Sequence, residues 1–273
     1  MFRRPGNGAG RVVATGAIVG AAFLFVSGTT LPARQAQTPA AAGDQAQAAL
    51  PAGREIVDRH VDAIGGAEAV RGTSSWRAQG SFELPGQGIT GTLEVLSARP
   101  ARSLVTLYVP GFGEVRSGYD GRVAWTIDPA SGPSVLSGRA LTQAADDARF
   151  DAVLHPEGFT SELTTVERTE FDRRPAYKVK VVFASGREQF DYYDVETGLQ
   201  IGTEGSRETP LGFVPSITYL RNYKAFGPLR QATEIVQQPL GIEQVVRIAS
   251  IEYDVVPETA FALPPPIQAL VKR

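Results

Sequence analysis

Residues 107–132 read LYVPGFGEVRSGYDGRVAWTIDPASG, with two turn signals between three short segments of alternating polarity. The Pro-Gly pair at 110–111 and the Asp-Gly pair at 120–121 are typical of tight turns, and Asp-Gly favours the type I′ turn of a β-hairpin. Residues 122–127 alternate between polar or small and large apolar side chains, as in a strand with one buried face. This stretch therefore predicts antiparallel strands joined by hairpins.

The same period of two continues on both sides, from residue 74 to residue 137 and again from residue 162 to residue 255. Turns rich in Gly, Pro and Asp separate the segments at hairpin spacings. We expect about 11–13 antiparallel strands, and a long meander of this kind is accommodated by one strongly curved sheet or open half-barrel. The expected fold class is mainly β (α+β), with helices covering the concave face.

Two segments interrupt the β pattern. Residues 53–64 carry an apolar stripe at helical spacing and are followed by Gly65-Gly66, which predicts a helix that ends there. Residues 141–154 are rich in Ala and predict one helix or two short ones in the middle of the chain.

Residues 1–36 have the layout of a secretory signal peptide, with arginines before an uncharged apolar run at 12–26 and small residues after it. That run is shorter than the ~20 residues that comfortably span a bilayer. We therefore expect a periplasmic or otherwise exported protein, with an uncleaved N-terminal membrane anchor as the alternative. Residues 37–52 contain too few large apolar side chains to fold and predict a flexible linker. Residues 53–273 would form one domain.

The composition argues against several classes of site. The chain has no cysteine, so thiol nucleophiles and thiolate metal sites are excluded, and two histidines fall short of a zinc site. Its net charge of −2 comes without a basic block, so nucleic acid is not an expected partner. No nucleophile elbow or nucleotide-binding fingerprint is present. We expect no cofactor.

Two acidic pairs could suggest acid–base catalysis. Asp146 and Asp147 are adjacent, and we expect them on a solvated helix face. Asp191 and Asp194 are three positions apart on a predicted strand, which places them on opposite faces. Neither pair has the geometry of a glycosidase. We expect the protein not to be an enzyme.

Three segments together resemble exported proteins of the LolA-like group, also called outer-membrane-lipoprotein-sorting-protein-like. They are DRHVDAIGG at 58–66, VPGFGEVRSGYDGRVAW at 109–125 and YDVETGL at 193–199. The resemblance covers the chain from about residue 54 to residue 263. It implies a half-barrel whose concave apolar face, lidded by helices, holds acyl chains. Members of the group carry lipids or lipoproteins across the periplasm, or sense them.

On this basis we expect an apolar cavity lined by Trp76, Phe82, Leu93, Leu107, Phe112, Trp125 and Ile127. If the mid-chain helix is a lid, Phe150, Val153 and Leu154 also face the cavity. The alternatives are ordinary core packing for the first set and a permanent plug for the second.

The expected function is an exported, non-enzymatic carrier that binds a lipid, or the acyl chain of a lipoprotein, in this cavity. The alternative is a structural or sensory protein-binding module of the cell envelope without bound lipid, for which the partner would be a membrane protein of the envelope.

Overall fold

The computed structural model describes residues 49–154, 160–209 and 212–272. The predicted signal peptide, residues 37–48 of the predicted linker, and His155 lie outside the described residues. Within the described residues, one antiparallel sheet of 13 strands dominates. It agrees with the expected number of strands and with the expected open half-barrel.

The helices are α1 (Gly53–Ala63), α2 (Ala67–Arg71), α3 (Gly138–Asp147) and α4 (Pro265–Val271). The first strands are β1 (Ser75–Leu84), β2 (Ile89–Ala98), β3 (Arg102–Val109), β4 (Gly113–Tyr119), β5 (Ala124–Asp128) and β6 (Gly132–Val135). After α3 follow β7 (Thr160–Phe171), β8 (Arg174–Phe183), β9 (Glu188–Asp194), β10 (Gln200–Thr209) and β11 (Gly212–Arg221). The last strands are β12 (Lys224–Phe226), β13 (Leu229–Gln231), β14 (Glu234–Pro239) and β15 (Gln244–Tyr253).

The strand order of the large sheet is β6-β5-β4-β3-β2-β1-β15-β14-β11-β10-β9-β8-β7. Two meanders therefore meet where the first strand pairs with the last, and β12 and β13 form a separate small hairpin. Strands β6 and β7 are consecutive in the chain but form the two opposite edges of the sheet. The connection between them has to cross the molecule.

Cross-strand pairs divide the sheet into two faces, because residues directly opposite each other point to the same side. Ala78, Val95 and Val105 are consecutive partners on β1 to β3, and all three are buried in the main apolar cluster. Leu96 and Leu104 are partners one position away and lie on the opposite face. We call the side of Val95 the inner, concave face and the side of Leu96 the outer face.

Helix α1 covers the inner face of the strands near the β7 edge. Its apolar stripe packs against Val179 and Tyr193 of β8 and β9, as helical amphipathicity requires. The helix is followed by Gly65, whose φ angle is 132°. A Cβ atom at this position would lie 2.5 Å from the carbonyl oxygen of Pro228. The predicted glycine stop is confirmed, because no other residue fits both the angle and the contact.

The hairpin between β4 and β5 differs from the expected type I′ turn. Tyr119 pairs with Ala124, so the loop consists of residues 120–123. The Oδ1 atom of Asp120 accepts hydrogen bonds from the backbone N–H groups two and three positions further on, at 2.8 and 2.7 Å. Of the loop residues only Gly121 has a positive φ angle. The aspartate side chain thus builds a longer turn in place of the two-residue one.

The C-terminal segment covers the outer face of β2 to β5. Trp125 is 3% exposed and packs in one cluster with Leu104, Phe261 and Ile267. Ile267 on α4 is fully buried. The segment after β15 is therefore packed against the domain. The Trp125 ring also lies against the backbone of Gly118, its partner on β4.

Replacing Gly118 with alanine should lower the free energy of unfolding by about 1–3 kcal/mol, because the added methyl group overpacks a closed site. The new Cβ would meet Trp125 ring atoms at 2.8 and 2.9 Å. Urea denaturation measures the difference. Gly205→Ala is the matched control, since its Cβ would have neighbours no closer than 3.5 Å. Wild-type stability in Gly118→Ala would contradict this packing of Trp125.

Candidate functional site

One large apolar cluster occupies the inner face and joins strands β1 to β4 with the helices. It brings together many of the residues predicted to line a cavity, namely Trp76, Phe82, Leu93, Leu107, Phe150 and Leu154, with Phe112 and Val153 packed against it. These side chains therefore share one surface, whether or not a ligand occupies it.

Trp125 and Ile127 do not belong to this surface, and the prediction that they point to the same side is wrong. Trp125 pairs with Gly118 and Ile127 with Arg116. Val115 on the same strand β4 is in the inner cluster, so even-numbered residues of β4 point outward. The guanidinium group of Arg116 accordingly lies 5.6 Å from the centre of the Trp125 ring.

The connection from β6 to β7 crosses the concave side of the sheet. We call its described part, residues 136–154, the strap; it contains α3. Near the β4–β5 hairpin the strap is held by apolar contacts, since Ala148 is 1% exposed and packs with Tyr119 and Ala124. This side of the strap is thus fixed by burial.

On the opposite side the strap is held by ion pairs. Asp147 contacts Arg187, at 3.1 Å between Oδ1 and Nη2, and also Arg207. Asp146 lies 3.6 Å from Arg187 and accepts a hydrogen bond of 2.7 Å from the hydroxyl of Ser185. We call the two aspartates and two arginines the latch.

The latch residues are largely shielded from water. The four charged side chains are between 12% and 19% exposed. The guanidinium group of Arg187 also lies 3.8 Å from the ring centre of Phe183. The expectation of a solvated acidic helix face at Asp146 and Asp147 is therefore wrong. Their partners Ser185 and Arg187 come from the β8–β9 turn and Arg207 comes from β10, all distant in sequence, so no local pattern predicts these contacts.

The segment after α3 fills part of the apolar interior. Phe150 and Leu154 are 1% and 5% exposed. Polar groups at the edge of the apolar cluster hold this segment in place. Arg99 lies over the Phe150 ring and forms an ion pair with Asp151 at 3.5 Å. Arg54 of α1 donates a hydrogen bond of 3.1 Å to the carbonyl oxygen of Leu154.

Polar side chains cross the inner face of β9, β10, β11, β14 and β15 in a single row. Consecutive cross-strand pairs join Asp191, Thr203, Thr218, Gln237 and Gln244. All five are at least nine-tenths buried. We call them the polar row.

The row next to it, two positions along each strand, is apolar. It consists of Leu220, Ile235, Val246 and Phe82, which pair in that order from β11 to β1 and belong to the main cluster or pack against it. The inner face is thus polar at the polar row and apolar two residues further along the same strands.

Asp191 is linked by hydrogen bonds to the latch. Gln189 donates from Nε2 to Asp191 at 2.6 Å and accepts from Arg187 at 3.2 Å. The hydroxyl of Tyr193 donates to the second carboxylate oxygen of Asp191 at 3.4 Å. Burial raises the pKa of Asp191 to about 6, although Gln189, Tyr193 and the charge of Arg187 oppose the rise.

The pKa of His60, a residue of α1 that contacts Tyr193, is shifted in the direction opposite to that of Asp191. Its ring meets the Tyr193 ring edge-on, and its Nδ1 accepts a hydrogen bond of 3.1 Å from the backbone N–H of Gln200. Burial lowers the pKa of His60 to about 4, against a hydrogen bond with the backbone of Gly198. His60 is therefore a neutral buried hydrogen-bonding residue at pH 7.

A groove of about 920 Å³ opens between the start of α3, the β8–β9 turn and strands β9 to β11. Its lining includes Gln189, Gly205 and Ser216 on the inner face, in the row adjacent to the polar row, together with Arg139 and Thr142 of α3. The groove connects the polar part of the inner face with the rim of the sheet.

Within residues 49–154, 160–209 and 212–272, no group of three or more His, Asp or Glu side chains could hold a metal ion. No helix in that part of the chain is long and apolar enough to cross a membrane.

The polar row and the latch were not among the residues predicted from the sequence. The row could have been found from the alternation alone, because Asp191, Thr203 and Thr218 each lie in the middle of a predicted strand at an inward position. The latch could not, since it depends on how residues 136–154 cross the sheet.

Asp191→Asn should make the protein more stable relative to wild type at pH 7.5 than at pH 4, by roughly 2 kcal/mol. The folded-state pKa of Asp191 lies above its unfolded value of 3.8. Its stabilising contribution is therefore complete below pH 3.8 and is lost as the pH rises through 6. Urea denaturation at several pH values measures the difference.

Asp194→Asn is the control of opposite sign. Burial would raise the pKa of Asp194, but hydrogen bonds from Thr197 and the charge of Arg174 outweigh it, so the pKa is lowered. This variant should lose stability at neutral pH and lose less at acidic pH. If the difference in unfolding free energy between Asp191→Asn and wild type does not change with pH, a buried carboxylate in the polar row is excluded.

Asp147→Asn should loosen the strap, because it leaves Arg187 and Arg207 without their shared carboxylate at a cost of about 1–3 kcal/mol. Hydrogen exchange of α3 amides should become at least about tenfold faster, since 1.4 kcal/mol corresponds to a factor of ten. Asp58→Asn is the control, because its pair with Arg54 is surface-exposed and worth little. Unchanged exchange in α3 would show that the latch does not hold the strap.

No family model matches the chain, and no curated protein matches it in sequence. Similar solved structures include a LolA superfamily protein from Nitrosomonas europaea, with a TM-score of 0.54 and 14% identity over 78% of this chain and 99% of that one. A DUF1329 family protein from Desulfovibrio piger has a TM-score of 0.55 and 13% identity over 77% of this chain and 95% of that one.

A domain assigned to outer membrane lipoprotein-sorting proteins, from Vibrio parahaemolyticus, has a TM-score of 0.51 and 13% identity over 81% of this chain and 98% of its own. At these identities the likeness concerns the fold. The predicted resemblance is confirmed at that level: the chain has a LolA-like fold, an open antiparallel half-barrel with helices over its concave face.

Proposed function

We propose that the protein is an exported, non-enzymatic carrier that holds the acyl chains of a lipid or lipoprotein against the inner face of its half-barrel. The observation that carries the proposal is the way in which this face is covered. The apolar inner surface is covered by short helices and by the connection between the two sheet edges, where a sandwich fold would have a second sheet.

The inner cluster has the chemistry for such a ligand. Its sheet residues, such as Phe82, Leu93 and Leu107, are aliphatic or aromatic and buried. Each methylene transferred from water to such a surface contributes about 0.8 kcal/mol. Displacing Phe150 and Leu154 would expose a surface that an acyl chain can cover in their place.

The strap has the anchoring that a removable cover needs. The latch aspartates are followed directly by Ala148, so the ion pairs of Asp146 and Asp147 and the buried contacts of Ala148 hold the same short stretch of the strap. The cover would open by breaking the contacts of this stretch.

The alternative function, a protein-binding module, is supported by one edge of the sheet. Strand β7 has no neighbour on one side within the large sheet and could pair with a strand of another protein. However, β7 has two register irregularities and charged side chains that discourage pairing. The C-terminal segment, a second possible docking element, is packed against the outer face.

The two tryptophans provide a direct test. Trp76 belongs to the inner cluster, and Trp125 lies on the outer face. In a Trp125→Phe variant, a brominated long-chain fatty acid should quench most of the Trp76 emission, because the bromine atoms would lie in contact range. In a Trp76→Phe variant, the same fatty acid should leave Trp125 emission nearly unchanged.

The non-brominated fatty acid serves as the control for nonspecific changes in emission. Equal quenching of both tryptophans would indicate adsorption to the surface. No quenching of Trp76 by the fatty acid or by a brominated diacyl lipid would reject the carrier and leave the protein-binding module.

A further inference from the structure

The polar row crosses the inner face, and its composition is unlike that of a site for a charged headgroup. The polar row consists of two hydroxyls, two amides and one carboxylate on five neighbouring strands. The row adjoins the apolar surface on one side and the groove lined by Gln189 and Ser216 on the other.

Two members of the row have hydrogen-bonding capacity left over. Thr203 and Thr218 are 7% and 4% exposed, and their hydroxyls form no hydrogen bond within the described part of the chain. Neither hydroxyl is among the fully buried polar atoms that lack a partner, so each keeps some access from outside. The two hydroxyls are direct cross-strand neighbours on the inner face, so one ligand group could bind both.

Charge argues against an anionic group here. Arg187 and Arg207 are already paired with Asp146 and Asp147, and Asp191 adds a further carboxylate nearby. The groove lining contains Arg139 and Arg187 but also Glu188 and Glu204. A phosphate would therefore meet no excess of positive charge, whereas a phosphate site normally supplies one.

We propose that the polar row binds an uncharged, hydroxyl-rich headgroup, so that the carried amphiphile is a glycolipid with its sugar on Asp191, Thr203 and Thr218 and its acyl chains on the apolar inner surface. The proposal rests on the proposed carrier function. Carboxylate, amide and hydroxyl groups accept and donate hydrogen bonds to sugar hydroxyls. The groove next to the row, which Gln189, Gly205 and Ser216 help to line, has a volume of about 920 Å³, in the size range of small-molecule sites.

The test compares three lipids with identical acyl chains: a monoglucosyl diacylglycerol, a phosphatidylglycerol and a diacylglycerol. Their transfer from detergent micelles to the full exported protein is measured by native mass spectrometry and by competition with a fluorescent fatty acid. We expect the glucosyl lipid to bind about tenfold more tightly than either of the others, from one or two net hydrogen bonds.

Substitutions in the row separate the headgroup site from the acyl site. Thr203→Val and Thr218→Val keep the shape and suit a β-strand, so the fold should be retained. Each should weaken glucosyl lipid binding by about three- to tenfold and leave diacylglycerol binding unchanged. Thr106→Val is the matched control, because Thr106 pairs with Glu94 and Arg116 on the outer face.

The outcomes are distinguishable. If diacylglycerol binds as tightly as the glucosyl lipid, or if Thr203→Val and Thr218→Val keep the preference, the headgroup site is wrong and the acyl carrier stands. If phosphatidylglycerol binds most tightly, the charge argument is wrong and so is the headgroup assignment. If none of the three lipids binds, the carrier function fails together with this proposal.

Discussion

The structure depends on one constraint: a single curved sheet has two faces, and both must be shielded from water where they are apolar. A sandwich solves this with a second sheet, but here all the long strands belong to one sheet. The shielding therefore comes from the segments between and after the strands. The strap and α1 cover the inner face, and residues 256–271 cover the outer face of β2 to β5.

The edge positions of β6 and β7 follow from the same constraint. Since the two meanders join through β1 and β15, the chain between them must travel from one edge to the other. It does so across the concave side, where it buries Phe150 and Leu154. The strand order thus provides a cover that is linked to the sheet along the chain but does not form one of its strands.

The polar contacts of the inner face form one connected set. The latch is bonded through Arg187 to Gln189, and through Gln189 to Asp191 and the polar row. Tyr193 extends the set to His60 of α1. The position of the strap and the protonation of buried groups are thus physically coupled. On acidification both groups take up a proton. Protonation of Asp191 favours the folded state and protonation of His60 disfavours it, which limits the net effect of pH on stability.

The sequence predicted the fold class, the number of strands, the glycine stop after α1 and the LolA-like resemblance. Each of these depends on short-range pattern: alternation, turn residues and helical spacing. Counting positions shows that Trp125 points outward. Tyr119 lies four residues after the inward-facing Val115 and therefore also faces inward. Its partner Ala124 shares that face, so the next residue, Trp125, lies on the other one. Reading polarity without counting register placed Trp125 on the wrong side.

The alternation of residues, the positions of the turns and the segments able to form helices can be derived from the amino-acid sequence, since these properties arise within a few residues. The contacts between distant segments follow from the folded chain. The pairing of Asp147 with Arg187 and Arg207 joins residues 40 and 60 positions apart, and the packing of Ile267 near Trp125 joins the chain end to its middle. Such contacts depend on strand order and curvature, which are set by the packing of the whole sheet.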